Sequence, residues 1–170
     1  WGSGSNEFGA VGNNSSQDVI TPVAVATNVS SMAAGKRHGF FIQKDGSLWA
    51  VGANASGQLG DGSTVSQSAA LRVGERVVRV AAGGAHSLII KGDGSLWATG
   101  ANLDGQLGDG STASRTTFGP VGAGFAEVAA GDRHSLLLRR DGRMQAAGAN
   151  TYGQLGDGSQ TSRATAVNLF

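Results

Sequence analysis

Three histidines, His38, His86 and His134, recur at intervals of 48 residues. Imidazole is the side chain that most readily carries a proton near neutral pH, and it is a common metal ligand. Three copies at one phase are therefore the first candidates for catalysis or a metal centre. No carboxylate or hydroxyl stands at a distinct spacing from them as a partner. Equivalent positions on successive units around an axis also diverge rather than meet at a point. The expectation is that each imidazole satisfies main-chain groups at a tight turn, with no catalytic and no metal residue among them.

The aspartates of the GDGS strings, Asp61, Asp109 and Asp157, raise the question of calcium. A calcium loop needs several oxygens close together. Asn102, Asp104 and Asp109 would supply them, but Ser56 and Tyr152 replace Asp104 in the other copies. Turn closure through nearby main-chain amides is the expected role. Trp1, Trp49 and Trp97 also share a phase and are expected to pack in the core. There is no cysteine, which removes disulfides, thiolate catalysis and cysteine-based zinc sites.

These residues are positioned by an unbroken internal repeat. GQLGDGS occurs at 57–63, 105–111 and 153–159, with a degenerate copy, GAVGNNS, at 9–15. Within one unit, VVRVAAG and HSLIIK flank a GGAH turn. GDG then joins HSLIIK to SLWATG, and Gly and Asp there suit the positive φ of a primed hairpin turn. A long loop, ANLDGQLGDGST, leads to a weaker strand, TTFGPV. No stretch has helical periodicity. Four short strands per repeat predict an all-β chain of propeller blades, each an antiparallel sheet. About 3.5 blades are present: a partial blade over 1–28, then blades over 29–76, 77–124 and 125–170.

Composition agrees with thin layers joined by turns. The 170 residues include 29 Gly and only 2 Pro, and the net charge of +1 comes with no basic stripe. Nucleic-acid binding is not expected. No apolar run reaches membrane-spanning length.

The strings AAGGAHS, GDG, LWATG and NLDGQLGDG resemble the regulator of chromosome condensation repeat family. The resemblance recurs along essentially the whole chain. It implies a seven-bladed propeller, of which this chain would be a part completed by further chain or by self-association. Members of the family include exchange factors for the GTPase Ran, a plant ultraviolet-B photoreceptor, substrate-binding parts of ubiquitin ligases and secreted bacterial β-lactamase inhibitors. The short period and GDGST loops are closest in style to the last, which implies an extracellular or cell-surface bacterial protein. The common element is a rigid disc that binds proteins, without cofactor.

The informative positions are those that vary inside the fixed frame. In an antiparallel meander, alternate connections lie on the same face. The GxxH turns and the NxxG loops therefore share one. The NxxG pairs are Glu7–Phe8, Ala55–Ser56, Leu103–Asp104 and Thr151–Tyr152; the GxxH pairs are Lys36–Arg37, Gly84–Ala85 and Asp132–Arg133. Aromatic and arginine side chains in such places are typical interface anchors. Phe8, Arg37, Leu103, Asp104, Arg133 and Tyr152 lead this set. The expected function is a non-catalytic scaffold that docks a protein partner on that face. Two alternatives are a structural segment of a larger surface or filament protein, and a propeller with a histidine-based site.

Overall fold

The computed structural model describes residues 1–169, and these form fourteen strands with no helix. Strands β3 (Val29–Ala34), β4 (His38–Gln43), β5 (Leu48–Gly52) and β6 (Gln67–Gly74) make one antiparallel sheet in chain order. The next comprises β7 (Val77–Ala82), β8 (His86–Lys91), β9 (Ser95–Gly100) and β10 (Arg115–Ala123). A third comprises β11 (Phe125–Ala130), β12 (His134–Arg139), β13 (Met144–Gly148) and β14 (Arg163–Asn168). Before them, β1 (Gly2–Gly4) pairs with β2 (Val19–Val23). These are propeller blades, about three and a half of them.

Each histidine opens a second strand and pairs with a glycine closing the third. The pairs are His38 with Gly52, His86 with Gly100 and His134 with Gly148. The identical register explains why the repeat tolerates no insertion: a one-residue slip would turn every side chain to the other face.

The sheets stack face to face, so the middle strands are covered on both sides. All of His86–Ile90 is buried. Ile89 joins Phe40, Ile42, Leu48 and Leu59 in the layer between the first two blades. Leu88 and Ile90 join Leu96, Leu107, Phe125 and Leu137 in the layer between the next two. Each fully buried Leu, Ile or Phe contributes roughly 1.5–3 kcal/mol, so the thin layers together form a substantial core.

Successive blades approach closely just after the first strand, at Gly35 and Gly83. A Cβ on Gly35 would lie 2.5 Å from the Gly83 carbonyl oxygen, and one on Gly83 would lie 2.5 Å from that of Gly131. The AAG strings therefore end in glycine because the neighbouring main chain occupies the space.

Two local expectations are corrected. The GDG connections are not primed turns. Only Gly46, Gly94 and Gly142 have positive φ, at 80°, 83° and 87°; the aspartates before them do not. Gly46 N–H donates to the Gln43 carbonyl, and Gln43 N–H to the Ser47 carbonyl. This is a tight turn with one left-handed glycine, closed by Asp45 Oδ1 accepting from Ser47 N–H at 2.9 Å. The tryptophans are core residues only in part: Trp97 packs against the layer between the first two blades without being fully buried. Trp1 is 83% exposed, and Trp49 and Trp97 are half-buried. Trp97 donates Nε1–H to Ser95 and carries Lys91 Nζ 3.9 Å over its ring. A tryptophan at that phase lies toward the GDG turn, where the sheets no longer cover it fully.

Candidate functional site

The long loops are organised from inside by one buried side chain. Asn102, fully buried, donates Nδ2–H to Asp109 and to the carbonyls of Ser111 and Ala113, while its Oδ1 accepts from Leu107 N–H. Asn54 and Asn150 make the same bonds. Asn6 does so in the degenerate copy, with Asn13 in place of the aspartate. The GDGS aspartates close turns: Asp61, Asp109 and Asp157 each accept from a serine amide two residues on, at 2.9 Å. Burial pushes the Asp109 carboxyl up, but bonds from Ser111 and Asn102 and the charge of Arg115 outweigh it and hold the carboxyl below its ordinary range.

The histidines join blades, which corrects the expectation of a local main-chain partner. His38 Nε2 lies 2.9 Å from Ser87 Oγ in the next blade, and Ser87 Oγ–H donates to the Gln58 carbonyl at 2.8 Å. His86, Ser135 and the Gln106 carbonyl repeat the relay. Because the hydroxyl proton is spent on a carbonyl, the serine oxygen accepts from imidazole. This fixes the proton on Nε2 and leaves Nδ1 without a partner among the described residues. Burial lowers both imidazoles to about 4. The main chain of His86 opposes this at His38. At His86 the neighbouring imidazoles add to it and Asp132 opposes it. Gly39 stands at the serine phase in the first full blade, which therefore lacks this hydroxyl.

The GxxH turns and NxxG loops do share a face, where they surround a depression of about 440 Å³. Its lining includes Ala53, Ala55, Ala85 and Ala101. On one wall Arg37 lies 4.9 Å over the Phe8 ring. On the other, Arg133 pairs with Asp104 at 2.5 Å beside Leu103. Lys36 and Asp132 pair at 3.7 Å across Gly84, both well exposed. Each arginine belongs to the blade after the loop it touches, so the walls straddle blade junctions.

Phe8, Lys36, Arg37, Leu103, Asp104, Asp132 and Arg133 thus converge, while Glu7, Thr151 and Tyr152 do not line the depression. Glu7 lies beside a larger hollow of about 1140 Å³ between the β1–β2 sheet and β3–β4. Thr151 and Tyr152 stand free on the last blade, with Tyr152 89% exposed. The sequence reading missed Gln58 and Gln106, which also line the depression. The signal was present in the repeated GQLG, but an unvarying residue reads as frame.

No group of three or more metal-binding side chains occurs among the described residues. No curated protein matches the chain. Three solved structures show the fold it shares. The crystal structure of Kap60 bound to yeast RCC1 (Prp20) has 22% identity and a TM-score of 0.85, over 99% of this chain and 45% of that one. Human WBSCR16 has 22% identity and a TM-score of 0.81, over 96% and 45%. Prp20p from Saccharomyces cerevisiae has 24% identity and a TM-score of 0.69, over 84% and 38%. The chain spans less than half the length of each. Models of the Regulator of chromosome condensation (RCC1) repeat match residues 29–58, 77–106 and 125–154, and in a second form 45–90 and 93–138. With this coverage added to the blade geometry, the chain belongs to the regulator of chromosome condensation repeat family.

Proposed function

We propose that this chain is a non-catalytic protein-docking scaffold whose recognition face is the one carrying the GxxH turns and NxxG loops. The observation that carries the proposal is a division of labour. Repeated polar groups are consumed inside the frame: histidine on serine, serine on carbonyl, asparagine on its own loop. Variable ones converge on an open depression with aromatic, aliphatic and arginine walls. A preformed frame limits the ordering cost of docking. Likeness to yeast RCC1 in complex with Kap60, and to Prp20p with its binding properties to Gsp1p and histones, supports a protein partner.

The test is a photo-crosslinking amino acid placed at Leu103 or Tyr152, with Lys44 on the opposite face as the control. Adducts to one defined protein from the first two positions alone are expected. Equal yield from Lys44, or adducts only from there, overturns the assignment of the face.

A further inference from the structure

The depression contains the amide donors of two almost buried glutamines, which the frame does not use. Gln58 and Gln106 are only 4% and 3% exposed. Gln58 Oε1 accepts from Ser56 N–H at 2.9 Å, and Gln106 Oε1 accepts from Asp104 N–H at 3.0 Å. A main-chain N–H can only donate, so these bonds identify the oxygen end of each amide and direct the NH₂ end elsewhere. Neither Nε2 has an acceptor among the described residues. Neither is a sealed polar atom, so each reaches open space in the depression that its residue lines. An amide whose side chain is almost fully buried, with its NH₂ end left free of the frame and open only to the depression, is a preorganised donor for a group that enters it.

The surrounding charge specifies what that partner is. Lys36 is paired with Asp132, and Arg133 with Asp104. Arg37 lies against Phe8 and has no ion pair among the described residues. Apart from the ion-paired groups, among them Asp104 Oδ2, which only the Arg133 guanidinium meets, the unused capacity is two amide groups and one guanidinium, all of them donors. A ligand group that meets them must be acceptor-only, which a carboxylate is. Asp104 and Asp132 would oppose a dianion, so a single negative charge fits better than a phosphate. Lining alanines, with Leu103 and Phe8, suit the apolar flanks of a peptide rather than a fully hydrated ion.

We propose that this depression is a carboxylate subsite, in which Gln58, Gln106 and Arg37 receive an aspartate or glutamate side chain of a protein partner. The inference rests on the reading of this face as the docking face. The test is a titration of the ¹⁵N-labelled full chain with acetyl-Ala-Glu-Ala-amide, followed through the glutamine side-chain signals. Those of Gln58 and Gln106 should move and saturate at millimolar peptide. The Gln analogue should bind about tenfold more weakly or worse. Q58E with Q106E keeps each Oε1 acceptor but replaces the donor with a negative charge; it should abolish the response and leave the loop main-chain spectrum in place. Arg37→Gln should weaken it. Equal response to the Glu and Gln peptides overturns the carboxylate assignment but leaves the docking face standing. So does tighter binding of a phosphoserine analogue. The absence of any saturable shift at Gln58 and Gln106 also overturns it. The docking face itself stands or falls on the cross-linking experiment.

Discussion

Replacing Ser87 by Ala would test the histidine relay most directly. Ser87 is fully buried and His38 is 2% exposed, so water cannot substitute at either end. The change removes the acceptor of His38 Nε2–H and the donor to the Gln58 carbonyl. Two buried polar groups are left unmet, each costing roughly 1–3 kcal/mol, for a combined loss of about 2–6 kcal/mol. A serine-to-alanine change on an exposed strand position usually stays within about 0.5 kcal/mol, so the two cases are well separated. The assay is urea unfolding at pH 7.5, followed by fluorescence of the half-buried Trp49 and Trp97. The same loss is expected for Ser135→Ala, since the relay is repeated there. His38→Leu combined with Ser87→Ala should cost less than the two changes summed, by about 1 kcal/mol or more, because each removes the same bond. Strict additivity, or a loss below about 1 kcal/mol for Ser87→Ala, would refute the relay as a source of stability.

Two further outcomes follow from the same geometry. Folding holds His38 and His86 at about 4, against an ordinary value of 6.5 in the unfolded chain. Between these values the unfolded state binds protons that the native state does not. Stability is therefore level above about pH 6.5 and falls as the pH drops toward 4, by on the order of 3 kcal/mol per imidazole. Urea midpoints measured from pH 7.5 down to 4 should show this slope, and a flat profile would contradict it. Gly83→Ala places a Cβ 2.4 Å from His86 Cε1 and 2.5 Å from the Gly131 carbonyl oxygen; it should abolish cooperative unfolding. Gly74→Ala, with nothing nearer than 3.5 Å, should fold with a near-native circular dichroism spectrum.

The strands and the shared face are legible in the sequence because both depend on local signals. Glycines mark the turns, apolar runs mark the strands, and a simple alternation of connections places two loop sets together. The histidine relay is not legible in the same way. Ser87 stands beside His86 in the chain, yet it serves His38, one repeat plus one residue away. Adjacency within HS suggests a local pair, and only the stacking of blades reveals the true one. The wall contacts are hidden for a related reason: Phe8 and Asp104 each meet an arginine from the following blade, and neither contact can be inferred from the loop alone.

Gln58 and Gln106 show why repetition is an incomplete guide to function. One end of each amide is frame: its oxygen holds the loop amide that precedes it, and the same bond occurs at Gln154 with Tyr152. That need accounts for the glutamine in every GQLG copy. The other end is free to differ in use, because its surroundings are set by residues that vary. At Gln58 and Gln106 the surroundings include Arg37, Arg133 and several alanines. A repeated residue can thus present a donor in every blade while the variable residues decide where that donor meets a partner. Specificity in such a propeller then depends on small residues as much as large ones. Ser56 and Ala85 stand where their counterparts are Phe8 with Arg37 and Asp104 with Arg133, and their small size leaves the depression open.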